Sequence, residues 1–490
     1  MMLKHFLTLI LFSAFMALYW SNYTGTPHFK MHSIGIFTRN NHHSEDIFTS
    51  DEICKDQRKK SKNGNFSGAP DYHNKNWLSN RKFDKSTISN NSHNKDIYDF
   101  CPHLTKPDFK YAKHRHFQKV NYKIWVFSAY YDHRKPSHRV RIITVSKVNY
   151  NASALFCQMW FNSSCEPYIQ EVAHVDMHNY FPKYKSTAKI VSCFLPDNRV
   201  PYAVSLVQDR CKPTNVLRVI NNYRKEDQKL KYNFSVCGPI LHSQYDDSRG
   251  IIHMIEMNMF FGADHFVFYN LNSGANAKTV LKKYEREGIV DVIPWKLPPG
   301  FKLHYFAQSA TLIDCHYSNL YTSQYIVISD MDEVIVPRDV RTWSDVMMNL
   351  TPKNSSTKPH ICAALFRNAY FRRQLEQPKL LNDTEQQISK KYGIHTLLIT
   401  NRDYNITRAP GRTKWIGDPK YIIMASVHYP QICRPNGSQY VVDLSEGMMH
   451  HYRWKRKKQI QTITNDDFML RYKDDIIKRI TNRFKRFNLD

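Results

Sequence analysis

The chain has 490 residues, of which 42% are hydrophobic and 13% aromatic. That is enough apolar material for one large core or two moderate ones, and it excludes a wholly disordered chain, a collagen and a protein of many membrane spans. Seventy Lys and Arg against forty-three Asp and Glu leave a formal charge of +27, which favours phosphates, nucleotides, nucleic acid or lipid headgroups without choosing among them. With 15 glycines and neither GxGxxG nor GxxxxGKS/T in the chain, Rossmann and P-loop chemistry are set aside.

An uncharged apolar run, Phe6 to Trp20, follows Lys4 and His5. Cleavage after Ala17 would place Phe15 where a small residue belongs, so residues 1–20 read as an uncleaved signal anchor of a single-pass type II protein. Glycosylation sequons begin at Asn22, Asn65, Asn90, Asn151, Asn162, Asn233, Asn349, Asn354, Asn382, Asn405 and Asn436. Their spread along the chain places it in the secretory lumen and removes most of the nucleic-acid reading of the charge. Ten cysteines without a CxxC are then disulfide partners, of undetermined pairing.

Residues 21–120, rich in Asn, Ser, Lys and His, read as a largely disordered stem. From Tyr122 to Tyr131 and from Arg139 to Val145 the texture turns β-branched and aromatic, opening a β-rich accessory region over 121–231. Beyond Tyr232, strand and helix patterns alternate: strands at Phe234–Ile240, His265–Tyr269, Ile289–Trp295 and Gln324–Ser329, helices at Arg249–Gly262, Ala277–Arg286 and Phe306–Leu320. The apolar strands predict an α/β domain over 232–455, a mostly parallel sheet with helices on both faces. Residues 456–490 read as a basic helical tail, and the cluster Trp454 to Lys458 with the amphipathic Asp474 to Phe487 stretch as a solvated basic helix.

Ligands of such sheets sit beyond the carboxyl ends of the strands, where Ser329-Asp330-Met331-Asp332-Glu333 falls. Three carboxylates in four residues repel one another unless cations offset them, and two of them one residue apart suit a hard divalent cation. Two chemistries use this pattern. In a GT-A glycosyltransferase the aspartates hold Mn2+ or Mg2+ on the diphosphate of a nucleotide sugar; in a haloacid-dehalogenase-like phosphatase Asp330 is the nucleophile and Asp332 the acid/base. The phosphatase motif opens its domain and needs a later acidic pair after a strand, whereas Asp466-Asp467 and Asp474-Asp475 lie in the polar tail. A lumenal glycan-binding protein without turnover is the non-enzymatic alternative.

Several motifs occur in order: Ser128-Ala-Tyr-Tyr-Asp132 with Arg134, Cys237-Gly-Pro239, Glu256 before Phe261-Gly-Ala263, Phe266-Val-Phe-Tyr269, Gln308 with Asp314-Cys315, Asp330-Met-Asp-Glu333, Lys414 to His428, and His451-Tyr-Arg453. Together they resemble glycosyltransferase family 92, over about Trp125 to Arg453. The resemblance implies a GT-A-like fold and an inverting, metal-dependent transfer of galactose from UDP-galactose to a glycan or glycoprotein, core fucose of N-glycans being one acceptor, by a Golgi membrane protein with a lumenal catalytic domain. No nucleic-acid partner is expected.

By the metal argument Asp330 and Asp332 bind the cation; His451 is the family's match for a third ligand, with His428 second. Inversion needs a base for the acceptor hydroxyl, for which Glu333, Asp443 and Glu446 are candidates. Lys414, Lys420 and Arg453 are candidates to neutralise the diphosphate.

Overall fold

A computed structural model describes residues 101, 103–134, 138–162, 166–179, 182–224, 228–350, 360–453 and 462–489. The expected anchor, most of the stem, the basic cluster 454–458, Cys54 and Cys165 lie outside them. Among the described residues no helix is long and apolar enough to cross a membrane.

The first part of the chain forms a nine-stranded sheet. Its strands are β1 (Gln118–Asn121), β2 (Ile124–Asp132), β3 (Arg139–Lys147), β4 (Phe156–Trp160), β5 (Tyr168–Glu171), β6 (His174–Met177), β7 (Ser186–Phe194), β8 (Ala203–Val207) and β9 (Leu217–Ile220). They run in the order β5-β4-β8-β9-β2-β3-β7-β6, with β1 paired to β2. The β-rich reading therefore holds, but it starts earlier than expected: a 3-10 turn at Phe109–Lys113 and the disulfide Cys101–Cys211 already tie residues 101–120 to it. The apolar Phe117 and Val120 are buried there, which a composition reading of the stem averages away.

A second sheet has seven strands, ordered β12-β11-β10-β13-β18-β15-β21. Here β10 is Tyr232–Leu241, β11 His265–Asn270, β12 Val290–Pro294 and β13 Ser323–Ile328. These four are parallel, as the continuous apolar runs predict. Helix α1 (Ser248–Phe261) links β10 to β11, α2 (Ala275–Arg286) links β11 to β12, and α3 (Gln308–Asn319) leads into β13. Asp247 caps α1 through the Gly250 amide, and Gly262 ends it at φ 123.

The next strand, β14 (Glu333–Pro337), leaves this sheet and joins a third of five strands; α4 (Trp343–Leu350) follows it. Strand β15 (His360–Phe366) returns to the second sheet, β16 (Asn368–Arg372) goes to the third, and α5 (Asp383–Tyr392), α6 (His395–Leu398) and β17 (Asn401–Asp403) follow. Strand β18 (Lys414–Gly417) runs antiparallel between β13 and β15. The chain closes with a β19 (Ile422–Met424) and β20 (Ile432–Cys433) pair, then β21 (Gly437–Val441), β22 (Gly447–Arg453), β23 (Ile463–Asn465) and α7 (Lys473–Arg486). The third sheet runs β14-β22-β16-β17-β23.

One face of the second sheet is covered by α1, α2 and α7 in a core containing Ile251, Ile255, Val280, Tyr284, Ile476, Ile480 and Phe484. The other is covered by α3, which the first sheet covers in turn: Phe127, Tyr130, Ile143 and Ile190 share a core with Ile313, Tyr317 and Val267. Helices on both faces is thus half right, since beyond α3 the outer layer is a sheet. Buried Asp314 of α3 pins the two regions together, accepting from Ser128 and Tyr130 of β2 at 2.5 and 2.6 Å, Tyr269 at 2.6 Å and Arg115 at 3.2 Å. The described part of the tail is helical over Lys473–Arg486, and one face of that helix is docked, not solvated, with Ile476, Ile480 and Phe484 buried. Its Arg479 and Arg483 reach the buried Glu256 carboxylate at 2.8 and 2.6 Å, beside the Tyr284 hydroxyl at 2.9 Å. A basic sequence hides this docking, because the arginines answer an acid more than two hundred residues away. Four disulfides are present among the described residues, Cys101–Cys211, Cys157–Cys193, Cys237–Cys315 and Cys362–Cys433.

Candidate active site

The parallel strands end together, and the acidic motif follows β13 as predicted. The turn from Ser329 to Glu333 is held locally: the Ser329 hydroxyl donates to the Glu333 carbonyl at 3.0 Å, and the Glu333 amide to the Asp330 carbonyl at 3.3 Å. The Asp330 amide in turn donates to Glu333 Oε2 at 3.0 Å. Strand β14 then pairs antiparallel with β22, which sets Glu333 opposite His451, while β18 beside β13 brings in Lys414.

The result is a compact charge cluster. Lys414, with no exposed surface, places Nζ 2.7 Å from Asp330 Oδ2 and 3.0 Å from Glu333 Oε2. His451 sets Nδ1 3.2 Å from Glu333 Oε1 and Nε2 3.3 Å from Asp332 Oδ2. Burial pushes the Glu333 carboxyl up against the pull of Lys414. Burial likewise lowers the Lys414 ammonium, but the two carboxylates more than offset it and its pKa is raised. Asp332 is raised by burial, yet the hydrogen bond and charge of His451 leave it below the usual carboxylate range. Asp330 and Asp332 keep about a third of their side chains open to solvent, at 34% and 38%.

Glu333 is 3% exposed, and its two oxygens are taken by Lys414, the Asp330 amide and His451. Buried and with both oxygens occupied, it is placed as a positioning residue and not as the open base that sequence nominated. Asp443 and Glu446 are corrected as well. Gly447 pairs with Pro337 and His451 with Glu333, so both lie at the far end of β22, roughly 14 Å away at about 3.4 Å per residue. There they hold a turn, Asp443 accepting from Ser445 and Glu446 from the Asp443 amide. Lys414 is spent on the motif itself and is not free for a diphosphate. Exposed Lys420 sits in a turn whose carbonyls receive Arg134. Arg453 is exposed, two residues beyond His451 on the same side of β22. His428 is close, its ring against the Thr413 carbonyl at 3.2 Å, and burial and Lys414 lower its pKa.

The donor set suits a hard cation. Two ligands of one octahedral ion are about 3 Å apart when each bond is about 2.1 Å. Asp332 Oδ2 and His451 Nε2 lie 3.3 Å apart, a separation at which the two would hold one such cation. A neutral His451 that donates Nδ1–H to Glu333 would present Nε2 to the cation in place of its contact with Asp332. Among the described residues no group of three or more His, Cys, Asp and Glu side chains is set to hold a metal, consistent with Lys414 engaging Asp330.

Sequence reasoning missed three neighbours. Asn368, opposite Met449 on β22, brings Nδ2 within 3.3 Å of His451 Nδ1 and buries an unpartnered Oδ1. Tyr245, just after β10, has its pKa pushed up first by burial and also by Asp247 and Asp332. The charge of Arg373 helps hold Asp332 down, and its Nε is buried without a partner. The only prior signal was the Arg372-Arg373 pair at the end of an apolar run. The backbone here is strained too: Ser243, Gln244, Tyr305, Phe306 and Ala307 all have φ between 42 and 66, each costing about 1–2 kcal/mol in a non-glycine residue. The expected helix at Phe306 therefore begins only at Gln308.

The model of glycosyltransferase family 92 matches residues 232–487. The chain belongs to glycosyltransferase family 92. The family 92 match takes in α7, in line with its docking on α1. The later acidic pair that the phosphatase reading needs is not set beside the motif: Asp466 is bound by Arg338 and Arg402 at 2.6 and 2.8 Å, and Asp474-Asp475 open α7. Beta-1,4-galactosyltransferase galt-1 of Caenorhabditis elegans is 27% identical over 235 residues, 45% of this chain and 53% of that protein. The chain thus spans about half the length of the curated relative it matches. Among solved structures, glucosyl-3-phosphoglycerate synthase from Mycobacterium tuberculosis, in complex with Mn2+, UDP and phosphoglyceric acid, is 11% identical at a TM-score of 0.24, covering 51% of this chain and 78% of its own. S. aureus TarS 1-349 in complex with UDP-GlcNAc is 12% identical at 0.26, covering 52% and 73%. Overlays this partial leave the fold to rest on the strands and registers above.

Proposed function

We propose that this family 92 enzyme transfers a hexose, galactose from UDP-galactose, to a glycan acceptor with inversion, in the Golgi lumen. The observation that carries the reading is the acidic turn beyond β13 with His451 and Lys414 folded onto it. That the nematode relative is a beta-1,4-galactosyltransferase supports the donor. The sequons support the compartment, since Asn151, Asn233, Asn349, Asn382, Asn405 and Asn436 are exposed.

Asp332 and His451 would hold a divalent cation, with Asp330 beside them. Bound there, the cation supplies positive charge for the leaving diphosphate. Glu333 fixes the His451 ring and the Asp330 amide, and Lys414 lets three carboxylates share one turn. Arg373 and Arg453 supply cationic charge around the same opening.

The test is Mn2+-dependent binding and turnover of UDP-galactose by the full chain from a secretory host, with Asp332→Asn alongside. Metal-dependent binding that the variant loses, with UDP released on adding a fucosylated N-glycan, is expected. Turnover unchanged in Asp332→Asn would sink the assignment of the turn.

A further inference from the structure

At the carboxyl edge of the parallel strands the chain makes a left-handed turn at Tyr305, Phe306 and Ala307, with φ of 42, 54 and 66. Three successive non-glycine residues in this region persist only where their surroundings dictate it. Here Ala307 is buried, Trp295 Nε1 donates to the Phe306 carbonyl at 2.9 Å, and the Phe306 ring lies 4.4 Å from His242. What the turn achieves is to hold Tyr305 out: the residue is 63% exposed while its neighbours are half-buried or buried. The ring is flanked edge-on by His304 at 4.9 Å, and His304 by Tyr184 of the β-rich region at 5.3 Å.

The place is as informative as the strain. His242 directly follows β10, which neighbours β13 in parallel register, Cys237 against Ile328. The turn is therefore on the edge that carries Asp330 and Asp332, a strand spacing or two away at about 5 Å each, and Tyr245 of the intervening loop feels the charge of Asp332.

We propose that Tyr305, with His304 and Tyr184 at its side, is a platform on which a pyranose ring of the acceptor glycan stacks. The inference rests on the transferase reading and adds where the acceptor lies. An open aromatic face offers the C–H side of a neutral sugar a dry contact that needs no charge. Because Tyr184 lies outside residues 232–487, the platform joins a residue beyond the family domain to the catalytic edge. This suits the partner that sets specificity better than it suits the donor.

The experiment uses the full chain, UDP-galactose and a fucosylated N-glycan, comparing wild type with Tyr305→Ala, Tyr305→Phe and Tyr184→Ala. Two rates are followed, acceptor-dependent transfer and UDP release without acceptor, beside glycan binding by saturation-transfer NMR. Tyr305→Ala is expected to raise the acceptor KM at least tenfold, leaving the donor KM, acceptor-free UDP release and melting temperature as in wild type. Tyr305→Phe should keep the wild-type KM, and Tyr184→Ala should raise it less than Tyr305→Ala. An unchanged acceptor KM in Tyr305→Ala, or a raised donor KM pointing to a nucleotide base on the ring, would overturn the platform. If wild type releases no UDP from UDP-galactose, the donor reading is what fails. The platform then stands or falls on the NMR signal, which Tyr305→Ala must abolish to support it and leave intact to refute it.

Discussion

Replacing Lys414 with methionine keeps the volume of the side chain and removes only its charge. Glu333 would then be a carboxylate 3% exposed, with His451 as its remaining ionisable partner, and Asp330 would face it without the bridging ammonium. Removing one member of a buried pair costs about 3–5 kcal/mol, because the other charge stays uncompensated. Since Asp330 is a third open to water, solvent covers part of its loss, and about 3 kcal/mol is expected. Glu333→Gln in the Lys414→Met background removes the orphaned charge, so the double variant should recover about 2 kcal/mol relative to the sum of the singles. Denaturant unfolding of the four proteins at pH 7.5 measures the cycle. Additive single effects, or a Lys414→Met protein within about 1 kcal/mol of wild type, would refute the view of Lys414 as the structural counter-ion of the motif.

Burial holds His253, His316 and His450 neutral, each with its pKa pushed down to about 3. An unfolded histidine titrates near 6.5, so the unfolded chain takes up protons first and stability falls as the pH drops below about 6.5. By pH 5.5 each residue costs a little over ~1 kcal/mol and the three together about 4; a denaturation midpoint flat between pH 7.5 and 5.5 would contradict this. Ile480→Ala should cost about 2–4 kcal/mol for a fully buried isoleucine in α7. The same change at exposed Lys485 should be close to neutral, and equal effects would show that α7 is not docked.

Much of this architecture is legible in the chain because its signals are local. The strands at 265–270 and 323–328 and the helices at 248–261 and 275–286 announce themselves by continuous apolar runs and by amphipathic spacing. The acidic turn stands out because three carboxylates in four residues demand an explanation. What is not legible depends on distant pairing. The apolar run after Glu333 looks like an extension of the same sheet, yet it pairs with 447–453, and only that register brings His451 to Asp332 and carries Glu446 away. Lys414 is one of seventy basic residues until β18 sets it beside β13. The left-handed turn at 305–307 contradicts the helical propensity of its own sequence, and the tertiary contacts of Trp295 and His242 decide it.

Glu256 is sealed in the core, and the two arginines that neutralise it are 223 and 227 positions further along. At about 5–20 residues per second the ribosome needs roughly 10–45 s to supply them. During that interval the nascent catalytic region carries an unanswered acid and the uncovered apolar surface that Ile476, Ile480 and Phe484 will later close. The protein thus cannot mature from its beginning to its end as it emerges. Its final helix acts as a latch, and a chain broken off before residue 473 would leave the ribosome as an open, aggregation-prone intermediate for chaperones to hold.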